Sequence, residues 1–197
     1  MITVLDAPDF SLTATLRSGQ AFRWVTAGEW WVGVLGTTVL KVKQDGAQLL
    51  CESSDPALTA ASLRHYFALD LNLPEILSSI NVDMQVHQAI NRYRGLRVLR
   101  QDGWETLGSF ILASFNNITR ITGMIDRLCQ AYGEPVALEG LRSFSFPRPE
   151  VLASVPEARL RSLGLGYRAP YLRATARRIA EKQLPLEQLR RLDYETV

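Results

Sequence analysis

The sequence contains few of the residues on which metal and thiol chemistry depend. Of its 197 residues only two are cysteines, Cys51 and Cys129, and only two are histidines, His65 and His87. They do not have the spacing of a zinc site, and two isolated cysteines do not make a disulfide framework. We therefore expect no metal ion and a reducing, cytoplasmic location.

Long apolar segments are also missing. No stretch approaches the roughly 20 uninterrupted apolar residues that a transmembrane helix needs. The first ten residues, MITVLDAPDF, contain no basic segment followed by an apolar run, so they do not look like a secretory signal. With 47% apolar residues the chain can bury a substantial core, and we expect one or two globular domains without a membrane partner.

Lysine is scarce, and the common motifs of covalent and phosphate chemistry do not occur. Lys41 and Lys43 lie in strand-like sequence, and Lys182 ends an arginine-rich helix. None of them has the apolar surroundings that activate an amine. The sequence contains no G-x-S-x-G, no H-E-x-x-H and no glycine-rich phosphate loop. We therefore predict no catalytic nucleophile in this chain.

Arginine, by contrast, is concentrated in the second half of the chain. Residues 1–90 contain five lysines and arginines against nine acidic residues, a net charge of −4. Residues 91–197 contain seventeen against eleven, a net charge of +6, and sixteen of the seventeen are arginine. Guanidinium groups hold phosphates and stack on bases, so nucleic acid is one candidate partner. An ordinary solvated surface is the alternative.

The two halves also differ in predicted secondary structure. Residues 21–50 are rich in Val, Thr and Trp and alternate in polarity over residues 38–43, which is typical of antiparallel strands. Asp45-Gly46 is a strong hairpin signal. Three short helices should follow, over residues 58–67, 74–80 and 84–93. We therefore predict a sheet domain with helices at residues 1–90.

We predict a helical second domain, without strands, at residues 91–197. Asp102 and Glu105 have the spacing of a capping box that begins a long apolar helix. The expected helices cover residues 104–115, a segment ending at Gly133, and residues 149–155, 156–163, 170–183 and 186–192, with a loop over residues 138–149. Together the two halves predict an α+β fold.

One segment with side chains suited to a nucleic acid is SFNNITR, residues 114–120. Asn116 or Asn117 can serve as an ordinary N-cap of the helix that follows. Alternatively, the amides and Arg120 are presented at an exposed helix N-terminus to phosphates or base edges.

A second such segment is LGLGYRAPY, residues 163–171. Gly164 and Gly166 permit the positive φ of a tight turn before a helix. This turn places an aromatic ring, Tyr167, beside a guanidinium, Arg168, where both can meet a ligand. A helix end followed by a plain connector is the alternative interpretation.

Taken together, several segments resemble the 8-oxoguanine DNA glycosylase family. Each is weak alone, but they follow the family's order over nearly the whole chain. They are SGQAFRW at residues 18–24, YFALD at 66–70, GLRVLRQD at 95–102, SFI at 109–111, NNITRITGMIDRLC at 116–129 and LGLGYRA at 163–169. The resemblance implies an N-terminal antiparallel domain of TATA-binding-protein-like shape, followed by a helix–hairpin–helix glycosylase domain.

The resemblance implies base-excision repair of double-stranded DNA that contains an oxidised purine. Such an enzyme flips the damaged base out of the duplex, because its glycosidic bond cannot be reached inside the stack. We therefore expect a bacterial enzyme that acts as a monomer, without a cofactor, at the nucleoid. Two alternatives are a catalytically inactive module that binds damaged DNA and an alkylated-purine glycosylase of the same superfamily.

The resemblance also assigns roles to individual residues. Gly19 matches the glycine whose backbone carbonyl senses the N7 hydrogen of 8-oxoguanine. Tyr167 matches the wedge that fills or props the vacated stack. Arg120 and Arg168 match the arginines that hold the orphan cytosine, the base left unpaired by flipping.

The sequence departs from the family pattern at two places. Phe115 stands where the family has the first of three asparagines, of which Asn116 and Asn117 match the others, so one contact to the orphan cytosine is replaced. After residues 192–197 the family continues into L-P-G-[VI]-G-x-K, with a lysine nucleophile and a later aspartate. These residues are not among the 197, so we expect glycosylase and AP-lyase activity in the complete enzyme and none in this chain alone.

Overall fold

The computed structural model describes residues 2–189, which form two compact units. The first comprises the residues up to Val34 together with Thr38–Arg100. The second comprises Leu35–Thr37 and residues 101–189. The assignment of residues 1–90 and 91–197 to separate domains stays a prediction, because compactness alone does not establish independent folding.

A five-stranded antiparallel sheet with strand order β1-β5-β4-β3-β2 forms the centre of the first unit. The strands are β1 Ile2–Asp6, β2 Val25–Ala27, β3 Trp30–Leu35, β4 Thr38–Asp45 and β5 Gln48–Ser53. The predicted hairpin is confirmed, because Asp45 pairs with Gln48 and Gly46 takes a φ of 55° in the turn. Strand β1, which the sequence did not predict, pairs with β5 at one edge.

Four helices complete the first unit: α1 Leu12–Arg17, α2 Ala60–Tyr66, α3 Leu73–Ile80 and α4 Met84–Arg92. Each begins at a polar N-cap whose side chain accepts a backbone N–H, as such residues do at helix starts. Helix α1 was not predicted. Gln44 of β4 holds its start in place, since its amide accepts from the Leu12 N–H at 2.8 Å and donates to the Phe10 carbonyl at 2.7 Å.

The second unit is mainly helical. Its helices are α5 Gly103–Ala113, α6 Ile118–Tyr132, α7 Pro149–Ser154, α8 Glu157–Leu160, α9 Ala169–Ala180 and α10 Leu186–Leu189, with a π-helical turn at Arg161–Leu165 and a 3-10 turn at Gly166–Arg168. The last predicted helix, residues 186–192, is present as far as Leu189, and residues 190–192 lie outside the described part of the chain.

The prediction that the second half contains no strand is wrong. β6 Pro135–Leu138 and β7 Leu141–Phe144 form an antiparallel hairpin, whose turn and second strand lie in the segment 138–149 that was predicted as a loop. Its two turn residues, Glu139 and Gly140, both have positive φ, of 47° and 83°. That conformation is the usual one for a two-residue hairpin, but Glu is an uncommon residue there, so the sequence signal was weak.

Helix α5 packs closely in the core of the second unit. Gly108 makes this possible, because a Cβ at that position would lie 2.8 Å from a ring carbon of Phe146. Leu112, on the same helix, is fully buried, whereas Phe110 is 75% exposed. The apolar residues of α5 therefore divide between the core and the surface.

Membrane-spanning helices and clusters of metal ligands are both absent from the described residues. Within residues 2–189 no helix has the length and apolar character needed to cross a membrane. No group of three or more His, Cys, Asp or Glu side chains in this range is arranged to hold a metal ion.

Candidate nucleic-acid interface

The turn between α5 and α6 presents a fully exposed aromatic side chain. Phe115 lies just after α5, and its side chain is 100% exposed. Its backbone has a φ of 51°, in the left-handed region. For a residue with a Cβ this conformation costs roughly 1–2 kcal/mol, and it is rare for a bulky side chain. The turn therefore carries both strain and an apolar ring in water.

Two neighbouring side chains from a distant part of the chain fasten this turn. Tyr167 Oη donates a hydrogen bond to the Ser114 carbonyl at 3.0 Å, and Arg168 Nε donates to the same oxygen at 2.9 Å. Arg168 Nη2 also donates to Ser114 O, and it donates to the Phe115 carbonyl at 3.1 Å. The carbonyl groups before and after the Phe115 Cα are thus fixed by three donor groups.

The guanidinium of Arg168 is buried in making these contacts. Arg168 is only 8% exposed, whereas its neighbour Tyr167 is 49% exposed. The guanidinium carbon lies 4.4 Å from the centre of the Tyr167 ring, within the range of a cation–π contact. In the structure Arg168 therefore holds protein groups, and its expected contact with an orphan cytosine stays a prediction.

The glycines of the LGLGYR segment form the tight turn that the sequence predicted. Gly164 has a φ of 89°, and Gly166 has a φ of 57° with a ψ of −133°, a combination that suits glycine. Arg127 of α6 fixes the turn, since its Nε donates to the Leu163 carbonyl at 2.7 Å. A Cβ on Gly164 would lie 2.8 Å from Arg127 Nη2. Nothing in the sequence pattern pointed to this role of Arg127.

The start of α6 adds polar groups beside the Phe115 turn. Of the two candidate caps, Asn117 is the N-cap, because its Oδ1 accepts the Arg120 N–H at 3.0 Å. Asn116 instead donates to the Leu112 carbonyl at 3.3 Å and accepts the Asn117 N–H at 3.1 Å. The Arg120 side chain is exposed in the first turn of α6, where the helix dipole also favours anions.

Five of the six predicted site residues therefore lie on two segments that meet at the Ser114–Phe115 turn. These are Asn116, Asn117, Arg120, Tyr167 and Arg168. The sixth, Gly19, belongs to the first unit. The sequence did not identify Ser114, because its backbone carbonyl makes the contacts and a carbonyl has no residue signature.

Gly19 lies in a turn directly after α1 and has a φ of 84°. The next residue, Gln20, fixes that turn. Its Nε2 donates to the carbonyls of Thr15 at 3.1 Å and Arg97 at 2.9 Å, and its Oε1 accepts the Leu99 N–H at 2.7 Å. Gln20 is thus a positioning residue that sequence reasoning missed, since two of these partners lie 77 and 79 positions away.

Comparison with known families accounts for almost the whole chain. Residues 2–107 match the 8-oxoguanine DNA glycosylase, N-terminal domain, family. Residues 109–195 match the HhH-GPD superfamily base excision DNA repair protein family. The junction between the two matches follows shortly after the end of the first structural unit at Arg100.

Individual relatives agree with these matches. The N-glycosylase/DNA lyase of Saccharomyces cerevisiae is 33% identical over 198 residues, covering 89% of this chain and 51% of that protein. The structure of MBOgg1 in complex with a low-affinity DNA ligand superposes with a TM-score of 0.93 at 29% identity, covering 100% of this chain and 68% of that one.

A third relative was solved on a lesion-containing duplex. It is the Clostridium acetobutylicum 8-oxoguanine glycosylase/lyase in complex with double-stranded DNA containing cytosine opposite 8-oxoG. It superposes with a TM-score of 0.88 at 26% identity, covering 98% of this chain and 69% of that one. The chain spans about half the length of the curated relatives it matches.

Proposed function

The chain belongs to the 8-oxoguanine DNA glycosylase family, and from this premise we propose that it is part of an enzyme that removes 8-oxoguanine from double-stranded DNA. The whole protein would combine DNA glycosylase and AP-lyase activity. It would act as a monomer, without a cofactor, at the nucleoid in the bacterial cytoplasm. The observation that carries this proposal is the fastened turn at Ser114–Phe115 with Tyr167 beside it, because exposed aromatic rings suit the space left by a flipped base.

We propose that Gly19 senses the lesion through its backbone carbonyl. 8-Oxoguanine carries a hydrogen on N7, whereas guanine has a lone pair there, so a carbonyl oxygen attracts the first and repels the second. The absence of a Cβ lets the base approach the backbone closely. The hydrogen bonds of Gln20 hold the turn that carries this carbonyl. A fixed carbonyl is needed because 8-oxoguanine and guanine differ at N7 by one hydrogen atom.

We propose that the polar groups at the start of α6 hold the orphan base. An unpaired cytosine exposes O2 and N3, which are both acceptors, and the guanidinium of Arg120 is a donor only. Asn116 and Asn117 fix the backbone that carries Arg120, through the N-cap and the contact with Leu112. Tyr167 would support the stack of bases next to the vacated position. The C. acetobutylicum enzyme was solved on a duplex with cytosine opposite 8-oxoG, which supports cytosine as the orphan base.

The AP-lyase step needs an amine that attacks the sugar and forms a Schiff base. The lysines of this chain do not have the setting that activates an amine. Lys41 donates to Glu52, and Lys43 donates to Glu29 at 2.7 Å, which raises the pKa of Lys43. Lys182 is exposed after α9. We infer that none of the three supplies the nucleophile and that these 197 residues alone do not excise the base.

Binding measurements test the recognition part of the proposal. The 197-residue chain should bind a duplex with 8-oxoguanine opposite cytosine roughly 10-fold more tightly than the undamaged duplex, the factor that one hydrogen bond commonly contributes. Gly19→Ala should remove the difference, and its thermal melt, set beside that of the unsubstituted chain, shows that the turn still folds with a Cβ at a φ of 84°. Equal affinities of the unsubstituted chain for the two duplexes would count against the proposed function.

Reductive trapping tests the inference about catalysis. Borohydride should trap no covalent adduct between the chain and lesion DNA. An adduct that disappears in Lys182→Ala, but persists in Lys43→Ala, would identify Lys182 as the nucleophile and overturn the inference.

A further inference from the structure

We propose that Arg127 is a positioning residue for the DNA interface, because it holds the turn at residues 163–166 in the conformation that presents the Tyr167 ring. This inference rests on the proposed function, in which Tyr167 supports the base stack. It adds a residue that itself contacts no base. Arg127 lies seven positions after Arg120 on α6, which places it about two turns, roughly 10 Å, further from the start of the helix.

The turn before Tyr167 needs to be held from outside. Gly164 and Gly166 have positive φ, of 89° and 57°, and a glycine backbone reaches many other conformations without steric cost. Leu165, between them, is fully buried and anchors the middle of the turn. Tyr167 directly follows the second glycine. The direction of its ring therefore depends on contacts that fix the two ends of the turn.

Arg127 supplies the contact at the first end. Its Nε donates to the Leu163 carbonyl, the group just before the first glycine, at 2.7 Å. A hydrogen bond from a charged donor is roughly twice as strong as one between neutral groups. The second end is held by the hydrogen bond from Tyr167 Oη to the Ser114 carbonyl at 3.0 Å. Both glycines thus lie between fixed points, and loss of Arg127 would release the first.

Two glycines leave room for the guanidinium of Arg127. A Cβ on Gly123, one turn earlier on α6, would lie 3.3 Å from Arg127 Nη1, and a Cβ on Gly164 would lie 2.8 Å from Nη2. The planar group therefore lies close to the backbone of both segments. It occupies space that Gly164 would need in order to change conformation. A lysine ammonium on its flexible stem cannot replace this planar group.

The experiment measures binding of the 197-residue chain to fluorescent duplexes that carry a tetrahydrofuran abasic analogue opposite C, A, G or T, with the intact duplex as reference. Tyr167→Ala should lower the affinity for abasic duplexes roughly 5- to 100-fold, as the loss of stacking on one aromatic ring implies. Arg127→Ala keeps the ring but frees the turn. It should lower the same affinities roughly 5- to 30-fold, the cost of ordering about one residue of backbone on binding.

A double-mutant cycle separates positioning from a general structural effect. If Arg127 acts through Tyr167, Arg127→Ala should cause no further loss in a chain that already carries Tyr167→Ala. Arg177→Ala is the matched control, because it removes the same charge from an exposed position on α9. It should leave the ratio of abasic to intact affinity unchanged.

Two further measurements keep the test independent of folding. Arg127→Lys retains the charge and the stem, so it should melt close to the unsubstituted chain and still lose most of the preference for abasic DNA. Guanidinium chloride at low concentration should restore part of the preference to Arg127→Ala, because the free ion fits the space between the two glycines. Sodium chloride at the same concentration should restore none.

The outcomes separate the two proposals. If the unsubstituted chain does not prefer abasic over intact duplexes, the proposed function fails and this inference fails with it. If Tyr167→Ala lowers the preference but Arg127→Ala and Arg127→Lys keep it, the proposed function stands and this inference is wrong. Equal losses from Arg127→Ala with and without Tyr167 would show that Arg127 acts independently of the ring. A salt dependence reduced by about one phosphate contact, beyond that of Arg177→Ala, would make Arg127 a phosphate anchor and overturn the positioning role.

Discussion

Arg168 donates from Nε and Nη2 to the carbonyl oxygen of Ser114, a residue 54 positions earlier in the chain. The contact joins the turn before α9 to the end of α5, and the charged group that makes it is buried. Hydrogen bonds from a charged donor contribute more to stability than neutral ones. This contact therefore predicts a stabilising role for Arg168 that can be measured without DNA.

Arg168→Ala should lower the free energy of unfolding by about 1.5–3 kcal/mol, the range for a lost hydrogen bond to a charged group. Arg168→Lys should recover only part of this, because one ammonium cannot reproduce the fork of a guanidinium. Urea denaturation measures both. The control is Arg178→Ala, an exposed arginine of α9, which should change stability by less than about 0.5 kcal/mol. Equal effects at the two positions would show that the Ser114 contact does not stabilise the fold.

The same variants decide whether Arg168 also reads a base. We expect Arg168→Lys to lower the affinity for abasic duplexes by a similar factor whichever base lies opposite, because its effect on DNA passes through the Phe115 turn. If the preference for cytosine alone falls, while stability is that of the unsubstituted chain, Arg168 contacts the orphan base directly. The expectation drawn from the family would then be correct.

The features that the sequence predicted well are those that depend on residues next to one another in the chain. The capping box at the start of α5 is one, since Asp102 accepts the Glu105 N–H at 2.8 Å. The hairpin at Asp45-Gly46 is another, because the turn conformation depends on those two residues. The hairpin at Glu139-Gly140 has the same geometry but a less typical first residue, and it was missed.

The features that were missed join distant parts of the chain through hydrogen bonds to backbone groups. The resemblance to a family placed Tyr167 and Arg168 at the interface, but no pattern of residue types indicated that both would bond to the Ser114 carbonyl. The same is true of Gln20, which fixes the turn of Gly19 through bonds to Arg97 and Leu99. Such contacts depend on tertiary packing, which local propensity does not encode.

Cys51 gives the first unit a specific dependence on alkaline pH. It is 1% exposed in β5, and burial raises the pKa of its thiol from 9.0 to about 12. Because the folded state holds the thiol proton more tightly than the unfolded chain, this stabilisation is complete below about pH 9 and is lost as the pH rises toward about 12. The free energy of unfolding should therefore fall less steeply over this range in Cys51→Ala than in the unsubstituted chain.

Denaturation curves at several pH values measure this difference in slope. Leu49→Ala is the matched control, because it removes a fully buried side chain that does not titrate from the same strand, β5, and its pH profile should run parallel to that of the unsubstituted chain. Parallel pH profiles for Cys51→Ala and the unsubstituted chain would contradict the prediction. A constant offset between the curves reports only the lost packing of the side chain.

Arg120→Ala should reduce the preference for cytosine opposite an abasic analogue roughly 5- to 100-fold, since a good contact between a guanidinium and a base contributes about 1–3 kcal/mol. The Arg120 backbone N–H would still donate to Asn117, so the helix start should be preserved. Affinities for the four opposing bases, each measured at several salt concentrations, test this. A uniform loss, with the salt dependence reduced by about one phosphate contact, would instead make Arg120 a phosphate anchor.

Phe115→Gly should make the protein more stable. The side chain buries no surface, so its removal costs no packing, and glycine adopts the φ of 51° without the penalty of a Cβ. Relief of the backbone strain should stabilise the folded state by roughly 1–2 kcal/mol. The greater conformational freedom of glycine in the unfolded chain offsets about 0.4–1 kcal/mol of this, so we expect the free energy of unfolding to rise by about 0.5–1 kcal/mol.

Phe115→Ala separates the two contributions, because alanine keeps the Cβ and therefore the strain, and it should show little or no such gain. Thermal melts of the three proteins, set beside their affinities for the abasic duplexes, complete the test. A glycine variant that is more stable but binds poorly would show that the strain is retained for the contact with DNA, as functional sites often trade stability for activity. A glycine variant no more stable than the alanine variant would show that the turn stores no strain.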